Sequence, residues 1–130
     1  MSLESGLVAL ITGDAGVSSL MGTRLYPDII PQDVAMPAGH YRLTVNRVAM
    51  AHDNPAGVEF STVRVTIFDT LRASVITLRD TIKPVVSGFK GTSGGETFDA
   101  VFYQEGANGF DMESGLYSAA FDLRVTRRVS

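Results

Sequence analysis

Along residues 62–86 the hydrophobic period changes once. Val63, Val65 and Ile67 alternate with Arg64 and Thr66, a period of two in β-branched residues that predicts a half-buried strand. Beyond Asp69 and Thr70, the residues Leu71, Val75, Leu78 and Ile82 form one face of an α-helix. Arg72, Thr77, Arg79, Asp80 and Lys83 fall mostly on the other face. Asp69 or Thr70 is positioned to cap this helix, and Pro84 and Gly88 to close it. A strand that feeds an amphipathic helix needs a sheet for the helix to lie on, and the rest of the chain supplies one.

Before this stretch, Leu3, Leu7, Leu10 and Ile11 predict a first helix capped by Ser2 and stopped by Gly13. Gly6 inside it costs about 1 kcal/mol relative to Ala. Asp14 caps a second short helix, with Val17, Leu20 and Met21 inward and Gly22 after its end. Residues 24–37 contain Pro27, Pro31 and Pro37, which forbid helix and central strand and predict an extended surface loop. The loop is apolar for its kind, with Tyr26, Ile29, Ile30, Val34 and Met36. Either it folds back on its own core or a partner covers it.

Residues 40–50 read as a strand, with Tyr41, Leu43 and Val45 apolar at odd positions. After Arg47 the phase inverts to Val48 and Met50. A turn cluster follows over 52–57. The next strand opens with Val58 and Phe60 at even positions before it switches to Val63. Both arms of this hairpin therefore change phase on the tip side. Two readings stay open: a tip whose apolar face (Val48, Met50, Val58, Phe60) meets another subunit, or two independent bulges. Residues 88–95 read as a flexible loop, and 98–105 as a strand apolar on both faces. Asn108-Gly109 is a hairpin signal. Residues 116–129 form the cleanest strand, in which Tyr117, Ala119, Phe121, Leu123 and Val125 alternate with polar or small residues. The order is α–(α)–β–β–α–β–β. The expected fold is α+β, a four-stranded, largely antiparallel sheet with helices packed on one face. Its other face carries Arg42, Thr44, Arg64, Thr66, Asp122, Arg124 and Arg128.

Length adds that residues 1–130 make a single domain. The 45% apolar and 19% charged composition excludes a disordered chain. No apolar run approaches the roughly 18 residues of a membrane helix, and the first residues lack the basic segment of a secretory signal. There is no Cys, which removes disulfides and thiolate metal sites. The net charge of −3 argues against a dedicated nucleic-acid binder.

Chemistry is sparse. His40 and His52 stand in no metal-ligand spacing. The stretch 88–95 has its Lys before the Gly-Thr-Ser and a strand behind it, unlike a phosphate-binding loop. No Gly-x-Ser-x-Gly elbow is present. Asp99, Glu105, Asp111, Glu113 and Asp122 are scattered. Arg124 and Arg128 share one strand face while Arg127 points the other way, an arrangement suited to structural or inter-subunit ion pairs. Catalytic, cofactor and metal residues are none, and no enzyme activity is expected.

Four segments together resemble a known family, the tail completion or tail terminator proteins of long-tailed phages. They are Gly22-Thr-Arg-Leu-Tyr-Pro27 with Pro31 beyond it, Met36-Pro37 before the first strand, Val63-Arg-Val-Thr-Ile-Phe-Asp-Thr70 running into the helix, and Leu116-Tyr-Ser-Ala-Ala-Phe-Asp-Leu-Arg-Val125. In order they cover nearly the whole chain. Phe68 matches the aromatic that members often carry at the end of the second strand; the Trp of some relatives is missing.

The resemblance implies a structural virion protein of a phage or prophage, assembled in the bacterial host cytoplasm. It implies a homohexameric ring at the head-proximal end of the tail, which ends the tube and joins it to the head. The implied partners are further copies of itself, the tail tube protein, and a head completion or connector protein. DNA passes through the lumen without sequence-specific binding, and neither cofactor nor membrane takes part. The apolar loop (Tyr26, Ile29, Ile30) and the hairpin tip (Val48, Met50, Val58, Phe60) are then the candidate subunit interface. The competing expectations are another neck or head–tail connector protein, or a small α+β ligand-binding module with a polar pocket.

Overall fold

The computed structural model describes the backbone of residues 3–51 and 54–129, and side-chain surroundings for 3–44 and 59–127. Helix α1 (Leu3–Thr12) and helix α2 (Ala15–Met21) are separated at Gly13, as the pattern predicts. Asp14 caps α2 by accepting from the Val17 N–H at 3.1 Å, and Gly22 follows it with φ 62°. The Ser2 cap lies outside the described residues. Leu3, Leu7, Ile11, Val17 and Met21 are buried, whereas Leu20 is exposed rather than inward.

The prolines of the first loop do not exclude a strand at a sheet edge. Strand β1 (Leu25–Pro27) pairs in parallel with β2 (Ala38–Ala51), Tyr26 opposite His40. Strand β3 (Asn54–Asp69) pairs antiparallel with β2, and begins inside the stretch read as a turn. The register of the hairpin shifts twice, first at the middle of β2 and again near the tip. Leu43 pairs with Val63, yet Val45 pairs with Thr62, so Thr44 is the extra residue. Its hydroxyl donates to the Thr62 carbonyl at 3.0 Å. On β3 the alternation from Glu59 to Asp69 has no matching break; its extra residues, Pro55 and Ala56, lie nearer the tip. Glu59, Ser61, Val63, Val65, Ile67 and Asp69 are all buried in one unbroken alternation.

Helix α3 (Arg72–Val86) buries Val75, Leu78, Ile82 and Val86. Leu71 is exposed at its N-cap position, and neither Asp69 nor Thr70 caps the helix. Asp69 instead accepts from the Thr70 N–H at 2.7 Å. Pro84 does not stop the helix. It sits in the last turn, and the burial of Val86 carries the helix past it.

The stretch 88–95 is not a flexible loop throughout. Strand β4 (Gly91–Ser93) pairs with β5 (Glu96–Phe98) across Gly94 and Gly95, both at positive φ, the two-residue turn that glycine permits. This small hairpin packs on α1. A Cβ on Gly6 would stand 2.8 Å from Phe98 Cζ and 2.9 Å from the Ser93 carbonyl, so the costly helix glycine is a close-approach site.

Strand β6 (Ala100–Asp111) runs through Asn108-Gly109 without turning. A bulge at Gly106 and Ala107 interrupts the pairing, Gly109 stays in register opposite Ser118, and the Asn108 side chain accepts from Arg79 at 3.1 Å. The turn lies at residues 112–115. There Asp111 accepts from the Glu113 N–H and from the Ser114 hydroxyl, and Gly115 takes φ 72°. Strand β7 (Leu116–Val129) then returns between β6 and β3.

In place of the expected four antiparallel strands, the described residues form a mixed five-stranded sheet, ordered β1-β2-β3-β7-β6, and a two-stranded sheet, β4-β5. The α+β class holds. The helices and one sheet face share a single core, in which Ile67, Leu78, Ile82, Phe98, Phe121 and Leu123 are fully buried.

Candidate subunit interface

Among the described residues no helix packs on the second sheet face. By register, Arg64 faces Asp122 and Gln104, and Thr62 faces Arg124 and Phe102. Its charges are partly spoken for. Arg64 makes a two-pronged pair with Asp122 at 2.9 and 3.3 Å, and Arg42 reaches Asp28 at 3.3 Å. Arg124 is exposed and has no ion pair among the described residues. Arg127, on the opposite face as its position predicts, is held by Glu59 at 2.9 Å and Glu96 at 2.7 Å.

The apolar loop folds over one end of this open face. Asp28 and Asp33 take left-handed backbone angles, φ 64° and 61°, which short polar side chains tolerate. The curl leaves a groove of about 530 Å³ between the loop residues 29–36 and the sheet residues His40, Phe68 and Leu116. The lining also includes Asp33, Asp111 and Ser114 but no Lys or Arg. Of the loop's own residues, Ile30, Val34 and Met36 are half-buried in it, while Ile29 is 76% exposed. The loop thus folds back, but onto the polar face rather than the helix-side core.

His40 lines this groove. Its ring lies 5.5 Å from that of Phe68, and its Nδ1 is buried with no hydrogen-bond partner among the described residues. Burial lowers its pKa below the ordinary 6.5; Arg42 adds to this and Asp28 opposes it. The folded state therefore favours neutral His40. Its share of stability is complete above about pH 6.5 and declines as the pH falls below that value. Urea midpoints at about pH 7.5 and about pH 5.5 should differ more in the wild type than in His40→Gln. Equal differences would remove the assignment.

Of the residues expected at an interface, Tyr26 is half-buried in β1, Ile29 is exposed and Ile30 lines the groove. Phe60 lies on the open face, 47% exposed. Val48, Met50 and Val58 lie outside the residues whose side chains are described. The sequence reading missed three others. Phe102 is 60% exposed on the open face, and Phe110 and Met112, at 51% and 87%, project at the β6–β7 turn. Phe102 belongs to a run apolar on both sides, so periodicity gave no sign of which side faces solvent. Met112 lies in a turn beyond the Asn108-Gly109 hairpin signal, which therefore gave no sign of its exposure.

Among the described residues no group of three or more His, Asp or Glu is arranged to hold a metal ion, and no helix is long and apolar enough to cross a membrane. By sequence, no protein-family model and no curated protein matches the chain.

The element order, the central β7 and the helix-covered face define a compact α+β fold with one open sheet face. Among solved structures, a chain from the virion of a native gene transfer agent (GTA) particle shares it. The TM-score is 0.73 over 98% of this chain and 95% of that one, at 13% sequence identity. At that identity the likeness is one of fold.

Proposed function

We propose that the chain is a structural protein of a phage-like virion. It acts without enzymatic chemistry, as a ring at the head-proximal end of a tail. The observation that carries this reading is the near full-length likeness of fold to a chain of a gene transfer agent virion. The order of sequence segments that resembles tail terminators supports the finer position. The ring stops addition of tail tube protein, offers a docking surface to a head completion or connector protein, and lets DNA pass through a lumen. It assembles in the host cytoplasm and ends in the virion. A net charge of −3 suits passage of DNA without retention. Tyr26, Ile29, Ile30 and Phe60, with the hairpin-tip residues Val48, Met50 and Val58, are the proposed contacts between protomers.

The test is tube growth. Tail tube protein from the same phage or prophage is polymerised with and without the purified chain, and tube lengths are read by negative-stain electron microscopy. Bounded tubes with a ring at one end are expected. Tubes of unchanged length distribution without end density would overturn the reading.

A further inference from the structure

The open face and the β6–β7 turn are complementary in chemistry and lie at opposite ends of the same two strands. At one end, Arg124 is flanked by two exposed aromatics. Phe102 is its register partner on β6, and Phe60 pairs with Thr126, the next β7 residue on that face. At the other end, Phe110 and Met112 stand exposed beside the carboxylates of Asp111 and Glu113. The hydrogen bonds from the Ser114 hydroxyl and the Glu113 N–H lower the Asp111 pKa, which keeps its charge in place. Neither Asp111 nor Glu113 has an ion pair with a cation among the described residues. Phe102 and Met112 are separated along β6 by about 30 Å of strand, so the two patches of one molecule cannot meet.

We propose that they meet between molecules. The acidic, apolar turn of one copy seats on the basic, aromatic end of the open face of the next. Met112 lies against Phe60 and Phe102, a favourable sulfur–aromatic contact. Arg124 pairs with Glu113 at the edge of that apolar centre, the arrangement typical of interface hot spots. The contact joins two different patches, so it is heterologous and propagates head to tail, and it ends only if the rotation closes a ring. This deepens the ring reading, and rests on it for closure. Nucleic acid is a poorer occupant of the same face, because Arg42 and Arg64 are already engaged by Asp28 and Asp122.

The experiment uses the full chain and four proteins: wild type, Arg124→Glu, Glu113→Lys and the double variant. Each is sized by light scattering over a range of concentrations, with circular dichroism confirming the fold. The wild type is expected to assemble beyond a dimer. Each single variant, carrying like charges at both ends, should weaken assembly by at least about tenfold. Both the double variant and an equimolar mixture of the two single variants should recover it. Single variants that assemble like the wild type would overturn this contact and leave a ring with other interfaces standing. A wild type that is monomeric throughout, or stops at two copies, would overturn the head-to-tail contact, while tube growth tests the tail function separately. A labelled single-stranded oligonucleotide that binds the wild type and not Arg124→Glu would assign the face to nucleic acid and overturn the proposal.

Discussion

Phe121→Ala is expected to destabilise the protein by about 4 kcal/mol. Phe121 is fully buried at the middle of β7, with Val65 opposite it on β3 and Glu105 opposite on β6. Its ring stacks on Tyr103 with centroids 5.1 Å apart. Truncation removes the apolar transfer energy and leaves a cavity between helix α3 and the sheet, which rigid strands on either side cannot collapse to fill. A domain of this size holds about 5–15 kcal/mol in total, so the variant should unfold at a far lower denaturant midpoint. Phe121→Leu keeps most of the volume and should cost about 1 kcal/mol. Urea unfolding checks both. A loss below about 1 kcal/mol for the alanine variant would mean that the core repacks, contrary to the position of Phe121 in the unshifted β3–β7 pairing.

Arg127→Met comes next, with an expected loss of about 3 kcal/mol. The guanidinium bridges Glu59 on β3 and Glu96 on β5, with side-chain exposures of 21%, 10% and 18%. Ser61 donates to the same Glu59 oxygen that accepts from Arg127, at 3.2 Å. Removal of this cation leaves two largely buried carboxylates that repel each other, with Glu59 keeping only the Ser61 hydroxyl in place of the guanidinium. The loss comes from stranded charge rather than from packing, since Met fills a similar volume. The triple variant Arg127→Met, Glu59→Gln, Glu96→Gln should therefore recover most of it. A triple variant as unstable as the single one would show that the arginine acts through its hydrocarbon stem.

That network also shows what could be read from residues alone and what could not. The period of two in β7 sends Arg127 inward and Arg124 outward, and both are found there. The helix stripe Val75, Leu78 and Ile82 was legible for the same reason, as was the polar character of the open face at Arg64 and Asp122. Glu59 and Glu96 were not legible as partners, because nothing local links residues that far apart. The turn was misread at Asn108-Gly109, where a local preference lost to a bulge, to Arg79 and to a better turn built on Asp111. Strand β1 was missed because Pro27 argues against a strand interior and says nothing against an edge. At the candidate interface, the exposed Ile29 was singled out by its apolar loop and the exposed Phe60 by the phase of its strand. Phe102 and Met112 were not, since their exposure depends on which element ends up covered.

The position of β7 has a consequence for how the chain is made. The strand that completes the sheet is last in order and central in space, with β3 on one side and β6 on the other. While translation proceeds, β3 and β6 both await the same neighbour, and the apolar row Val63, Val65 and Ile67 has only half its cover. Nascent chains stalled before residue 116 should bind chaperones and aggregate, and release should come only as β7 emerges and slots in. Quality control therefore falls on a single late event. A copy with a damaged last strand is left with two bare edges, β3 and β6.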